Sequence, residues 1–286
     1  FETHRVTGTL TIDQGWITLD KSGTISATTL GNIILTSVNS TFIAHNGTHP
    51  ASFSLNTGSI TNNGGKFYGL NDGNGNITLR ITGNFNNTGN VKIINNSGVS
   101  DVSNGNAVFR VDGDFVQSSG DTRIIYNVTT TNSGIFNATI RNLLLTGGIF
   151  MGQSACHTGG QINTINITQD LSINFNNASD KFRGSGMTSI GQAINNSGFA
   201  LVVGRNLTVS GNPQAEFTSS ASAGDELVSV YGDMRLQGCT SSFNYGTITA
   251  SHSSELHVQG NLIINGGSNY LSRNSGTFHS VIEKDL

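Results

Sequence analysis

Chemistry in this chain would have to come from a thin supply of acids and histidines. Asp72 and Asp101 stand 12 and 13 residues before two equivalent positions, Asn84 and Asp114. One could therefore sit above the other, as a calcium-binding pair or as an acid and base sharing a proton. Both also lie in turn-forming runs, NDGNG and SDVSNG, where Asp and Asn favour tight turns, and the turn reading is preferred. Asp72, Asn74 and Asn76 alternate with glycine like the first half of a calcium loop. The bidentate Glu that would complete an EF-hand pattern is missing, so Ca²⁺ is kept only as a candidate cofactor at these three residues.

The seven histidines are His4, His45, His49, His157, His252, His257 and His279. His45 and His49 have ligand spacing only on a helix, and no third ligand is near, so solvent-facing loop positions are expected. No nucleophile elbow, phosphate loop or dinucleotide fingerprint occurs. The expectation is a chain without catalytic residues. Cys156 and Cys239 are expected to be two unpaired thiols, because they fall at different offsets in the repeat described below and disulfide geometry needs close Cα atoms.

The elements that must position these residues follow from composition. The chain has 286 residues, 37 Gly, 2 Pro, 11% charged residues and a net charge of −3. Val, Ile, Thr and Phe are abundant and no apolar pattern of helical period appears, which predicts an all-β fold. The low charge gives no electrostatic case for nucleic acid, and no 18-residue apolar run is present for membrane insertion.

An internal repeat then organises the chain. The corner of FRVDGDF, Asp114, has equivalents at Asn84, Asn142, Asp170, Asn206, Asp233 and Asn261, spaced by 27 to 36 residues and mostly by 28. Weaker copies are aligned at Asn56, Asn32 and Thr9. A period near 28 fits one coil of a parallel β-helix, with three short strands and three turns. The expectation is one continuous β-helix over residues 1–286, right-handed, with about ten coils and three strands per coil, about 50 Å long at about 4.8 Å per coil. An insertion is expected near 179–196. The seven corners alternate Asn and Asp, so no carboxylate stacks on another. Such contact would cost about 4 kcal/mol near a surface before relaxation. FRVDGDF itself reads as strand, sharp corner and second strand. Phe85, Phe115 and Phe175 are expected inside the coil. Trp16 and the tyrosines Tyr68, Tyr126, Tyr231, Tyr245 and Tyr270 share no obvious register and read as scattered packing rather than a sugar-stacking strip.

The runs FRVDGDFVQSSG, LVVGRNLTVSG, VSVYGDMRLQG and LHVQGNLIINGG resemble repeats of very large surface adhesins of the Bacteroidetes, a likeness of repeat texture spanning the whole chain. The resemblance implies a secreted or cell-surface stalk or filament segment, type IX export and a gliding-adhesin role. Its partners would be surface glycans, copies of itself or further repeats of the parent chain. The competing expectation is a polysaccharide-binding or -cleaving β-helix such as a phage tailspike or lyase.

Overall fold

The computed structural model describes residues 2–20, 25–46, 52–71, 75–96, 105–127, 134–153, 162–186, 198–221, 224–242, 253–271 and 277–284. Among them every regular element is a β-strand, and none is a helix. Alternation explains why: Ile77–Ile81 (ITLRI) buries every second side chain, and so does Ala107–Gln117 (AVFRVDGDFVQ). One side of each strand faces a core while the other faces out.

The strands form two sheets, one of nineteen strands and one of ten, and every pairing within them is parallel. A coil runs through the larger sheet, past the Asn/Asp corner, through the larger sheet again, and returns along the smaller one. In the coil that begins at Ile77, for example, Ile77–Ile81 and Phe85–Asn87 belong to the larger sheet and Asn90–Asn96 to the smaller. This is a parallel β-solenoid.

Equivalent residues step along the axis as Leu10, Ile33, Ile60, Phe85, Phe115, Leu143, Leu171, Leu207, Met234 and Leu262. About seven of these turns keep close to 28 residues, fewer than the ten equal coils expected. The first step, Leu10 to Ile33, is only 23 residues, and the step from Leu171 to Leu207 is 36.

Several expectations need correction. The corner is not always a break between strands: Ala107–Gln117 and Phe136–Leu145 run straight through it, with only a register shift between Val111 and Asp114. Those two coils therefore have two strands, not three. The early corner is Ser59 rather than Asn56, because Ile60 pairs with both Ile33 and Phe85, while Asn56 lies within a strand opposite Arg80. The insertion is also divided. Six residues separate Leu143 from Ile149, but ten separate their partners Leu171 and Lys181. The extra turn precedes Lys181–Gly186, a regular strand; the rest of the expected insertion falls largely outside the described residues.

Inside, one phenylalanine column runs from Phe42 to Phe217. Phe42–Phe67, Phe150–Phe182 and Phe182–Phe217 stack nearly parallel at 5.0–5.7 Å between centroids. Their positions on the smaller sheet are taken by Val91 and Thr122 in the two intervening coils. There the larger sheet supplies the rings instead, Phe85 and Phe115, 4.9 Å apart. Phe67–Phe85 and Phe115–Phe150 contacts join the two segments. From Phe42 to Phe217 each coil places one ring in this column, from one sheet or the other, and so keeps it closely packed. Phe175 is buried as well.

Candidate functional site

The corner column is built from backbone upward. At five of the six steps from Asn84 to Asn261 the corner side chain offers an oxygen to the backbone N–H of the next corner. Asn84 Oδ1 accepts from Asp114 N at 2.9 Å, Asn142 Oδ1 from Asp170 N at 3.1 Å and Asn206 Oδ1 from Asp233 N at 3.0 Å. The aspartates accept in turn, Asp170 Oδ1 from Asn206 N and Asp233 Oδ1 from Asn261 N. Asparagine adds a second bond, its Nδ2 donating to the aspartate below: Asn142 to Asp114 at 2.8 Å, Asn206 to Asp170 and Asn261 to Asp233 at 3.1 Å. Ser59 continues the column downward, donating its N–H to Asn32 Oδ1 and accepting from Asn84 N. Amide donation thus reaches each of these aspartates from one side only; the asparagine below contributes an acceptor.

Where glycine precedes the corner, at Gly83, Gly113, Gly232 and Gly260, space at the column excludes a Cβ. A Cβ on Gly113 would lie 2.4 Å from Asn84 Oδ1 and from Gly83 O, and one on Gly260 only 2.6 Å from Asp233 Oδ1. The Gly-Asp and Gly-Asn pairs of the repeat therefore follow from the hydrogen bond itself.

Sequence reasoning missed the arginines. Arg141 meets Asp114 at 2.8 Å, Arg205 meets Asp170 at 3.7 Å and Arg235 meets Asp233 at 3.0 Å. Arg80 and Arg110 both engage Asp112. Hydrogen bonds from Asn142 and then Arg141 hold the Asp114 carboxyl below its usual range, and the Asn261 backbone followed by Arg235 does so for Asp233. Asp112 is lowered chiefly by its Arg110 hydrogen bond. The signal was the Arg-Asn dipeptide at 141–142 and 205–206, which places a cation one coil above an aspartate. These carboxylates are ion-paired column members, and Asp112 and Asp114 form no dyad with each other.

The expected cation and acid–base positions give less. Asp72, Asn74 and Asp101 lie outside the described residues. Asn76 belongs to a second column, its Oδ1 accepting from Asn106 N at 2.9 Å while Asn106 Oδ1 accepts from Ile135 N at 3.0 Å. No group of three potential metal ligands occurs among the described residues.

His45 corrects the expectation of solvent-facing histidines. It is buried, with Nδ1 2.9 Å from the buried Asp20 carboxylate and its ring stacked on Phe53. His257 is half-buried and His279 exposed; His49, His157 and His252 lie outside the described residues, as does Cys156. Cys239 is free and buried, and burial pushes its thiol up to about 11. Glu226 is another group that sequence did not flag. It is fully buried where Phe199 stands in the coil below, bonded by Ser219 and Ser254, and burial raises its carboxyl to about 8.

Two surface features remain. Tyr231, half exposed, borders a shallow groove of about 70 Å³ with His257, Gln259 and Glu283. On the outer side of the smaller sheet, Tyr68, Lys92 and Arg123 are consecutive partners in register, and Tyr126 joins them. Lys92 Nζ sits 3.6 Å from the Tyr126 ring centroid and 5.7 Å from that of Tyr68, and Arg123 lies 5.0 Å from Tyr126. Two of the tyrosines expected to be scattered therefore converge. Trp16 is largely exposed, and Tyr245 lies outside the described residues.

Comparison with known proteins finds no matching family model, no matching curated protein and no matching solved structure.

Proposed function

We propose that this chain is a stalk or filament segment of an adhesin on the outer surface of a cell, with mechanical extension and presentation of flat faces as its work. The coil is taken as right-handed, the hand that crossover connections between parallel strands overwhelmingly adopt. The observation that carries the reading is continuity. Two parallel sheets, one phenylalanine column and one corner column pass through successive coils without a gap. Each coil is buried by its neighbours, so repeating the unit lengthens the rod without redesigning it. The texture of the repeats, which resembles the adhesin repeats named above, supports placement at a cell surface.

Pulling the chain from its two ends in a single-molecule instrument tests the mechanical part. Coils should peel off one after another, each releasing about 90–100 Å of contour for about 28 residues. A single cooperative collapse, or release of new reducing ends when the protein is incubated with a panel of polysaccharides, would replace the stalk with a compact enzyme.

A further inference from the structure

The two broad faces differ in how their charges are used. Along the corner, Arg80, Arg110, Arg141, Arg205 and Arg235 are each within ion-pair reach of an aspartate. On the smaller sheet Glu216 is met by Lys181 and Arg183, whereas around Lys66, Lys92 and Arg123 the nearby carboxylate among the described residues is Asp121, which Arg123 holds by Nε and a guanidinium nitrogen at 2.8–2.9 Å. Neither Lys66 nor Lys92 has a carboxylate within ion-pair distance among the described residues. A local excess of cations thus sits on a chain whose net charge is −3.

We propose that this patch binds an anionic polysaccharide laid along the solenoid axis. The inference rests on the adhesive reading for the idea that the face is displayed, and on the geometry for its ligand. Tyr68, Lys92 and Arg123 occupy successive coils, about 4.8 Å apart, a rise comparable to one sugar residue of an extended chain. Lys92 is held between Tyr68 and Tyr126 rather than free to reorient, so it is preorganised for an incoming carboxylate or sulfate. Burial between the rings is also the main cause lowering its ammonium pKa, the mark of a cation short of water. Tyrosine flanks offer an apolar plane and a hydroxyl to a sugar ring. Acidic sugars are favoured over nucleic acid because, among the described residues, the patch offers two cations without an ion-pair partner, Lys66 and Lys92, whereas a phosphate backbone is met by many.

The test uses the whole chain immobilised on a sensor, with polygalacturonate, dextran sulfate, neutral dextran and duplex DNA as probes. Wild type should bind one or both acidic polysaccharides, lose that binding as salt is raised, and ignore neutral dextran. Polygalacturonate against dextran sulfate tells carboxylate from sulfate recognition. Lys66→Gln with Lys92→Gln should weaken binding at least tenfold while leaving the melting temperature within a few degrees. If Lys92→Gln unfolds the protein, Lys66→Gln alone, at an exposed position, should still weaken it severalfold. No binding to either acidic polymer, equal binding by the variants, or tighter binding to DNA overturns the proposal. Stepwise unfolding under force would stand through any of these outcomes, so failure here is separable from failure of the stalk.

Discussion

At the scale of single residues, the corner column makes Asp114 and Asn142 unequal neighbours. Asn142 gives Asp114 an amide proton, whereas Asn84 gives it only an acceptor for its backbone N–H. A carboxylate could still accept at position 84 but could not donate at 142. Asn142→Asp should therefore cost more than Asn84→Asp, about 1 kcal/mol or somewhat above for an exposed contact, and Asp114→Asn should fold normally. The sign with pH follows from the lowered carboxyl of Asp114. Its contribution is present above the unfolded value near 4 and is lost as pH falls through the folded value. The penalty of Asn142→Asp should likewise be present at pH 7 and fade at pH 3; equal melting shifts at both pH values would sink the column. Glu226 runs the other way. Its carboxyl is raised to about 8, so the native state holds a proton that the unfolded chain releases from about pH 4.5. Stability should fall as pH rises from 4.5 to 8, by up to about 1.4 kcal/mol per unit. Glu226→Gln should flatten that slope in urea titrations, gaining stability at pH 8 and little at pH 4.

At the scale of strands, the phenylalanine column takes one ring from each of its coils without fixing which sheet provides it. Phe85 and Val91 lie in one coil on opposite sheets, both fully buried. Phe85→Leu should leave a void and cost about 1–3 kcal/mol; Val91→Phe should overpack by a similar amount. Together they should recover much of either loss, because the ring has only changed sides, and a double-mutant cycle measures that coupling. Strict additivity would mean that the two sheets do not share one packing space. The same coils show what could be read from sequence. The corner was legible because backbone capping there recruits an Asn or Asp oxygen, in four of the seven coils beside a glycine that has no room for a Cβ. Ser59 escaped because a hydroxyl caps equally well while Asn56, three residues away, mimicked the motif. The Tyr68–Lys92–Tyr126 contact was not legible because the coils themselves differ in length. Lys66, Asn90 and Asp121 are register partners at intervals of 24 and 31 residues, so no constant period connects them. Glu226 was hidden for a different reason: it occupies a position filled by Phe199 one coil below, and only the fold reveals that an acid lies in an apolar slot.

At the scale of the whole molecule, the coil is the unit of exchange, and the Asn/Asp alternation makes the unit two coils for charge. Removing residues 115–142 would join Asp114 to Leu143, which already pairs with the residue after Asp114. That deletion takes out one 28-residue coil in register but sets Asp170 directly on Asp114 and removes Arg141. Removing residues 115–170 takes out two coils and joins Asp114 to Leu171. Asn206 and Arg205, which now serve Asp170, would then sit on Asp114 instead. Both shortened chains lose Gln117 from the buried amide ladder above Asn87, so that cost is common to the pair. A rod whose stability were a simple sum over coils would rank the longer variant as the more stable. The electrostatic column reverses that order near neutral pH: the two-coil deletion should melt higher than the one-coil deletion at pH 7. At pH 3, where the stacked Asp114 and Asp170, now without Asn142 and Arg141, take up a proton, the longer chain should regain its advantage. Melting curves of both variants at the two pH values decide it. The one-coil variant melting higher at both would show that the alternation of Asn and Asp carries no weight in how coils stack.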